Sequence, residues 1–150
     1  MSPSPPTDIS QDLGKARACA VVWRLRGEMP EFLLISTAGK ADRYTLPGGK
    51  IASGTDPRET AQRETREEAG VLMDLQQTLG SYLHIKTCGI AHPTTVFLAR
   101  FDEQHPSHEN RTLVWLTADE LRTCNMSIRD GVRQQVLAAA DWLAQNPAAA

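Results

Sequence analysis

The chain has 150 residues, 41% of them hydrophobic and 23% charged, a balance that suits one compact domain with one core and excludes an unfolded chain. Its 16 Lys and Arg against 18 Asp and Glu leave a net charge of -2, so no global attraction to nucleic acid or to an anionic membrane is expected, and any polyanion must be held locally. The three cysteines, Cys19, Cys88 and Cys124, have no Cys-x-x-Cys spacing and an odd count, which excludes a disulfide framework and a zinc knuckle; buried thiols in a reducing cytoplasm are expected.

In chain order, Met1 to Gly14 is rich in Pro and Ser, lacks the features of a signal peptide, and reads as a flexible tail ahead of a domain over residues 15–145, with 146–150 as a frayed end. No stretch is long enough to span a bilayer. Ala18 to Leu25 and Glu31 to Ser36 are short β-prone runs on either side of a turn-like Arg26-Gly27-Glu28-Met29-Pro30, which predicts a hairpin. A further strand reaches Tyr44-Thr45-Leu46, and Pro47-Gly48-Gly49 must then turn or loop. Asp56-Pro57-Arg58-Glu59 combines an N-cap acid, a proline at the first helical position and a glutamate three residues after the cap, so a helix begins at Pro57 and ends at Gly70. Leu79 to Ile85 and Thr94 to Phe101 read as a second strand pair, His105-Pro106-Ser107 as a loop, and Thr112 to Leu116 as a last short strand. Thr117 to Glu120 is a capping box, and Arg129 to Gln145 carries Val132, Val136, Leu137, Ala140 and Leu143 at helical spacing. The order of strands, helix, strands, helix predicts an α/β domain with a mixed sheet and helices packed on it.

On the first helix Glu64, Glu67 and Glu68 stand at i, i+3 and i+4, so three carboxylates share about one third of the circumference. Such crowding raises their proton affinity or demands a cation, and magnesium, which prefers oxygen ligands and bridges carboxylates to phosphates, meets that demand. A solvated face with Arg63 and Glu67 paired is the plainer reading of the helix alone. The glycine pair upstream, in Leu46-Pro47-Gly48-Gly49-Lys50, tilts the balance, because glycines there let backbone approach a ligand closely. Arg43 and Lys50 flank that turn and are candidates to hold phosphate oxygens, the first as a fork and the second as a point charge. Tyr44, Tyr82 and Trp115 are the few candidates to stack on a base.

Gly49 to Val71 resembles the box of the Nudix hydrolase family, G-x5-E-x7-R-E-U-x-E-E-x-G-U with U a bulky aliphatic residue. Gly49, Arg63, Glu64, Glu67, Glu68 and Gly70 fill six of its seven fixed positions, and Val71 the last aliphatic one. Thr55 stands in place of the first glutamate and Thr65 in place of an aliphatic residue; Asp56 and Glu59 are neighbouring acids able to compensate for the first. The resemblance implies a Nudix-type α/β/α sandwich and hydrolysis of a diphosphate bond by water attack on phosphorus, with no covalent intermediate. The substrate implied is a nucleoside diphosphate linked to another moiety, or a related small molecule such as a dinucleoside polyphosphate or diphosphoinositol phosphate. It further implies Mg2+, with Mn2+ as substitute, bound by Glu64, Glu67 and Glu68 and by backbone at Gly48 and Gly49. Arg63 would orient the carboxylates, and either Glu68 or Glu109, in the loop before the last strand, would serve as general base. His84 and Lys86, on one face by strand alternation, fall where the family binds the group attached to the diphosphate, with His92 a weaker candidate. A small-molecule diphosphate is the partner implied, the charge balance points to no nucleic acid polymer and no membrane, and a homodimer is expected by analogy alone. The alternative, motivated by Thr55, is a Nudix-fold module that binds or senses a nucleotide without cleaving it.

Overall fold

The computed structural model describes residues 13–38, 40–86 and 88–149. The expected tail over residues 1–14 therefore lies almost wholly outside the described residues. Its last two positions are held: Leu13 bridges Ala91 in parallel, and Gly14 N donates to the Ala91 carbonyl at 2.7 Å.

The hairpin forms as expected from β1 (Arg17–Arg26) and β2 (Met29–Thr37). Arg26 pairs with Met29 across a two-residue turn in which Gly27 has φ 61°, a value that glycine adopts without penalty. Six elements follow: β3 (Lys40–Thr45), β4 (Gly48–Lys50), helix α1 (Pro57–Ala69), β5 (Val71–Ile85), β6 (Ala91–Gln104) and β7 (Leu113–Thr117). The chain continues with α2 (Ala118–Thr123), β8 (Ser127–Ile128) and α3 (Asp130–Gln145). The sheet is mixed, in the order β5-β6-β1-β2-β3-β8, with β4 paired to β1 and β7 to β2; β1 with β6 and β3 with β8 are parallel.

Alternation along β1 explains the layers. Cys19, Val21 and Trp23 face a core closed by Leu121 of α2 and by Val132, Val136, Ala139 and Leu143 of α3. Ala18, Ala20 and Val22 face the other way, onto Ala61 and Ala69 of α1. A strand buried on both faces reads as an unbroken apolar run, and the small alanines on the α1 side let that helix sit close. The result is the α/β/α sandwich that the resemblance implied.

Several expectations are corrected. The fifth strand begins at Val71, not Leu79, and spans fifteen residues; register shifts at Leu72/Met73, Leu75/Gln77 and Thr78/Gly80 break its period-two pattern. Gly48 and Gly49 do not turn but form a short strand against Ala18 and Cys19. Pro147–Ala149 make a 3-10 turn, with Ala149 packed against the α3-side core, and Ala150 lies outside the described residues. Only Cys19 of the three thiols is buried; Cys124 is half-buried and Cys88 is exposed at the β5–β6 turn. Among the described residues no helix is long and apolar enough to cross a membrane.

Candidate functional site

Helix α1 is fixed at both ends. Asp56 caps its start by accepting from Arg58 N at 2.9 Å, and Gly70, at φ 68°, returns its N–H to the Arg66 carbonyl at 2.9 Å. Asp56 is thus engaged as the cap. With the helix anchored, Glu68 turns inward to only 7% exposure, and its Oε1 accepts from Gly48 N at 3.0 Å. A Cβ on Gly48 would overlap Ala18 O and Cys19 Cβ, and one on Gly49 would overlap the Glu64 carboxylate. Both positions therefore need glycine, the first to pack on β1 and the second to admit Glu64.

Burial raises the Glu68 carboxyl to about 7, against the lowering effect of the Gly48 N–H and of Arg111; Glu64 and Glu109 push it up further. Burial also raises Glu64, and the adjoining Glu67 carboxylate, within hydrogen-bonding reach, adds to that rise. Arg63 Nε lies 3.7 Å from Glu64 Oε2.

The loop after β6 is tied to the end of α1. Gln104 Nε2 donates to the Ala69 carbonyl at 2.8 Å, His105 N to the Gly70 carbonyl at 2.6 Å, and the Ser107 hydroxyl lies 2.9 and 3.0 Å from the carbonyls of Glu67 and Glu68. From this loop Arg111, its side chain 15% exposed, reaches three partners: Nε donates to Glu109 Oε1 at 2.9 Å, Nη1 to the Ser36 carbonyl at 3.3 Å, and Nη2 stands 3.5 Å from Glu68 Oε2.

These groups border an open cleft of about 660 Å³. Of the residues expected from the sequence, the cleft gathers Arg43, Gly48, Gly49, Lys50, Glu64, Glu68, His84 and Lys86. Glu67, Arg63 and Glu109 do not line it: Glu67 adjoins Glu64, and Glu109 is paired with Arg111. Along the unbroken helix Glu68 accepts from Gly48 N, while the Glu64 carboxyl adjoins that of Glu67 and acts on that of Glu68. Among the described residues no three His, Cys, Asp or Glu side chains are already gathered into a metal cage.

The donor set nonetheless fits a hard divalent cation. It is made of carboxylate oxygens, two of its acids adjoin in a way that favours a proton or cation between them, and Gly49 brings its backbone directly against the Glu64 carboxylate.

Sequence reasoning missed Arg17, Arg111 and Arg129, which also line the cleft. Arg17 starts β1 and Arg129 precedes α3, so nothing local marks either. Of the stacking candidates only Tyr44 faces the cleft. Trp115 is covered by the Arg24 guanidinium at 3.9 Å and meets Phe101 edge-on at 5.5 Å, while Tyr82 packs on Gly131. His92 is buried, with Nδ1 2.8 Å from the Lys15 carbonyl, and serves to pin the start of the chain to β6.

A family model described as NUDIX domain matches residues 14–136. Human diphosphoinositol polyphosphate phosphohydrolase 3-beta is 32% identical over 108 residues, covering 71% of this chain and 53% of that protein. The bovine protein of the same name is 38% identical over 68 residues, 45% of this chain and 41% of its own. The chain thus spans about half the length of the curated relatives it matches. Among solved structures, an Ap4A hydrolase binary complex from C. elegans superposes with a TM-score of 0.73 at 21% identity, over 88% of this chain and 99% of that one, a likeness of fold. With its strands, its loop-helix and most of its length matched by that model, the chain belongs to the Nudix family.

Proposed function

We propose that the chain is a Nudix diphosphohydrolase that cleaves the diphosphate bond of a small molecule, with magnesium held by Glu64, Glu67 and Glu68 beside the Gly48–Gly49 backbone. The observation that carries this reading is a buried acid, Glu68, seated against a glycine strand in a cleft whose lining also holds Glu64 and the cations Arg17, Arg43, Lys50, Lys86, Arg111 and Arg129. Nudix hydrolases generally use divalent metal ions; magnesium, with manganese as its substitute, is the choice that all-oxygen donors favour. When bound, such an ion offsets phosphate charge and lowers the pKa of water.

Arg43 and Lys50 neutralise and orient the phosphates, and Arg63 steadies Glu64 without touching substrate. Of the two candidate bases Glu68 faces the cleft whereas Glu109 is paired with Arg111, which favours Glu68 as the group that takes the proton of the attacking water. His84 and Lys86 meet the group attached to the diphosphate. The substrates we infer are nucleoside diphosphate derivatives, dinucleoside polyphosphates or diphosphoinositol phosphates, the last two being compounds named in the relatives above.

A phosphate-release screen with magnesium across these compounds, NDP-sugars and ADP-ribose tests the reading, with Glu68→Gln expected to lower turnover about 100-fold or more. Equal turnover by Glu68→Gln would sink it. Thr55, standing in place of the first box glutamate, motivates a second reading as a non-catalytic nucleotide-binding module. Intact ligand recovered after long incubation with magnesium, alongside tight binding, would select that one.

A further inference from the structure

Three cations and a histidine converge on one wall of the cleft from three separate elements. Arg17 opens β1, His84 and Lys86 lie at the end of β5, and Arg129 precedes α3. Each is half-buried, and among the described residues none of the three cations forms an ion pair with a carboxylate. Elsewhere Arg24, Arg26, Arg63, Arg111 and Arg122 each have a carboxylate within 4.0 Å.

The wall is also built. Arg129 Nη1 donates to the Ile85 carbonyl, which fixes its guanidinium beside the Lys86 end of β5. Lys86 is held by a closed turn, its N–H on the Ile90 carbonyl at 2.9 Å and its carbonyl receiving Gly89 N at 2.9 Å. Like charges gathered on one cleft repel one another, and half-buried cations lose hydration without gaining an opposite charge. Such an arrangement is stabilised when an anion arrives. His84 reports the same field: burial first, then Arg17, Arg129, His92 and Lys86, hold it down at about 4. Beyond it, a side pocket of about 150 Å³ shares His84 and Arg129 with the main cleft and adds Tyr82, Leu83, Ile85 and Gly131, so a ligand can extend past the wall.

We infer that Arg17, His84, Lys86 and Arg129 form a second anion subsite, separate from the carboxylates and the glycine strand, that binds a phosphate group other than the scissile diphosphate. The preferred substrate is then a polyphosphorylated small molecule, and neutral appended groups such as a sugar are discriminated against. This inference rests on the hydrolase reading for the word substrate, but the subsite itself is a binding claim and is tested without turnover.

The test is calorimetric binding of two probes, myo-inositol hexakisphosphate, which has no diphosphate bond to cleave, and diadenosine tetraphosphate, in EDTA. Wild-type protein is compared with Arg17→Gln, with Arg17→Gln/Arg129→Gln, and with Arg122→Gln as a surface control. At least one probe is expected to bind wild type and to lose about tenfold or more in affinity with each arginine removed, with weakening by salt, while Arg122→Gln matches wild type. The probe that shows the larger loss identifies a polyol or a nucleotide as the carrier of the extra phosphates. Arg17→Gln alone serves if the double variant fails to fold. Undiminished affinity for both probes in the folded variants, or an equal loss in Arg122→Gln, overturns the subsite. The hydrolase reading fails separately: absence of magnesium-dependent turnover with the binding loss intact leaves the subsite standing, and turnover with no binding loss leaves only the hydrolase.

Discussion

At Glu68, burial opposes the charge that its place in the cleft calls for. Its carboxyl stands at about 7 in the folded chain against an ordinary 4.5, so the folded state keeps a proton that the unfolded chain has released. The resulting stability is fully present below about pH 4.5 and is lost as pH rises through about 7, a swing of at most about 3 kcal/mol. In EDTA the wild-type melting temperature is therefore expected to fall between pH 5 and 8, and Glu68→Gln to flatten that fall. Magnesium should restore the wild type at pH 8 and leave the variant unmoved; parallel pH curves for the two proteins would count against the assignment. The two glycines beside it differ in kind. A side chain at Gly48 meets the β1 backbone, so Gly48→Ala destabilises the fold, whereas at Gly49 it meets the tip of Glu64, so Gly49→Ala folds but displaces that acid. Chemical unfolding combined with magnesium titration separates the two outcomes.

At the scale of elements, helix α1 was legible because all that defines it is local: Asp56, Pro57 and Gly70 lie where capping chemistry places them. Strand β5 was half hidden, because its register shifts scatter the alternation on which a strand is recognised. The Gly48–Gly49 strand was read as a turn, since two glycines carry no side-chain pattern and only pairing with β1 makes them a strand. Within α1, Thr60 and Thr65 are fully buried and their hydroxyls have no hydrogen-bond partner. Replacing Thr65 by the isosteric valine removes a desolvated hydroxyl without opening a cavity, so Thr65→Val is expected to stabilise by about 1 kcal/mol in denaturant unfolding. A loss of stability would point to a partner for that hydroxyl.

For the whole molecule, a net charge of -2 concealed a cleft in which Arg17, Arg43, Lys50, Lys86, Arg111 and Arg129 face two carboxylates. The carboxylate half of the site was visible because one helix carries it, and Arg43 and Lys50 because they border the glycines. Arg17, Arg111 and Arg129 are scattered along the chain, and the pairing of β1 with β6, of β2 with β7 and of β3 with β8 brings their elements to one place. If the cleft selects polyanions, KM for a polyphosphorylated substrate rises steeply between about 50 and 300 mM salt while kcat changes little, as screening predicts. Steady-state kinetics at fixed free magnesium checks this, and a salt-independent KM would argue against electrostatic capture.

The grip of the β6–β7 loop on the carbonyl end of α1 also bears on how such a protein can change. Ser107 touches the carbonyls of Glu67 and Glu68, and four residues later Arg111 faces the cleft. A lengthened or shortened loop that admitted a new ligand would shift the same carboxylates that the chemistry requires. Divergence in ligand choice is thereby channelled toward the β5 end and the Arg129 corner, where among the described residues no hydrogen bond runs back to the helix.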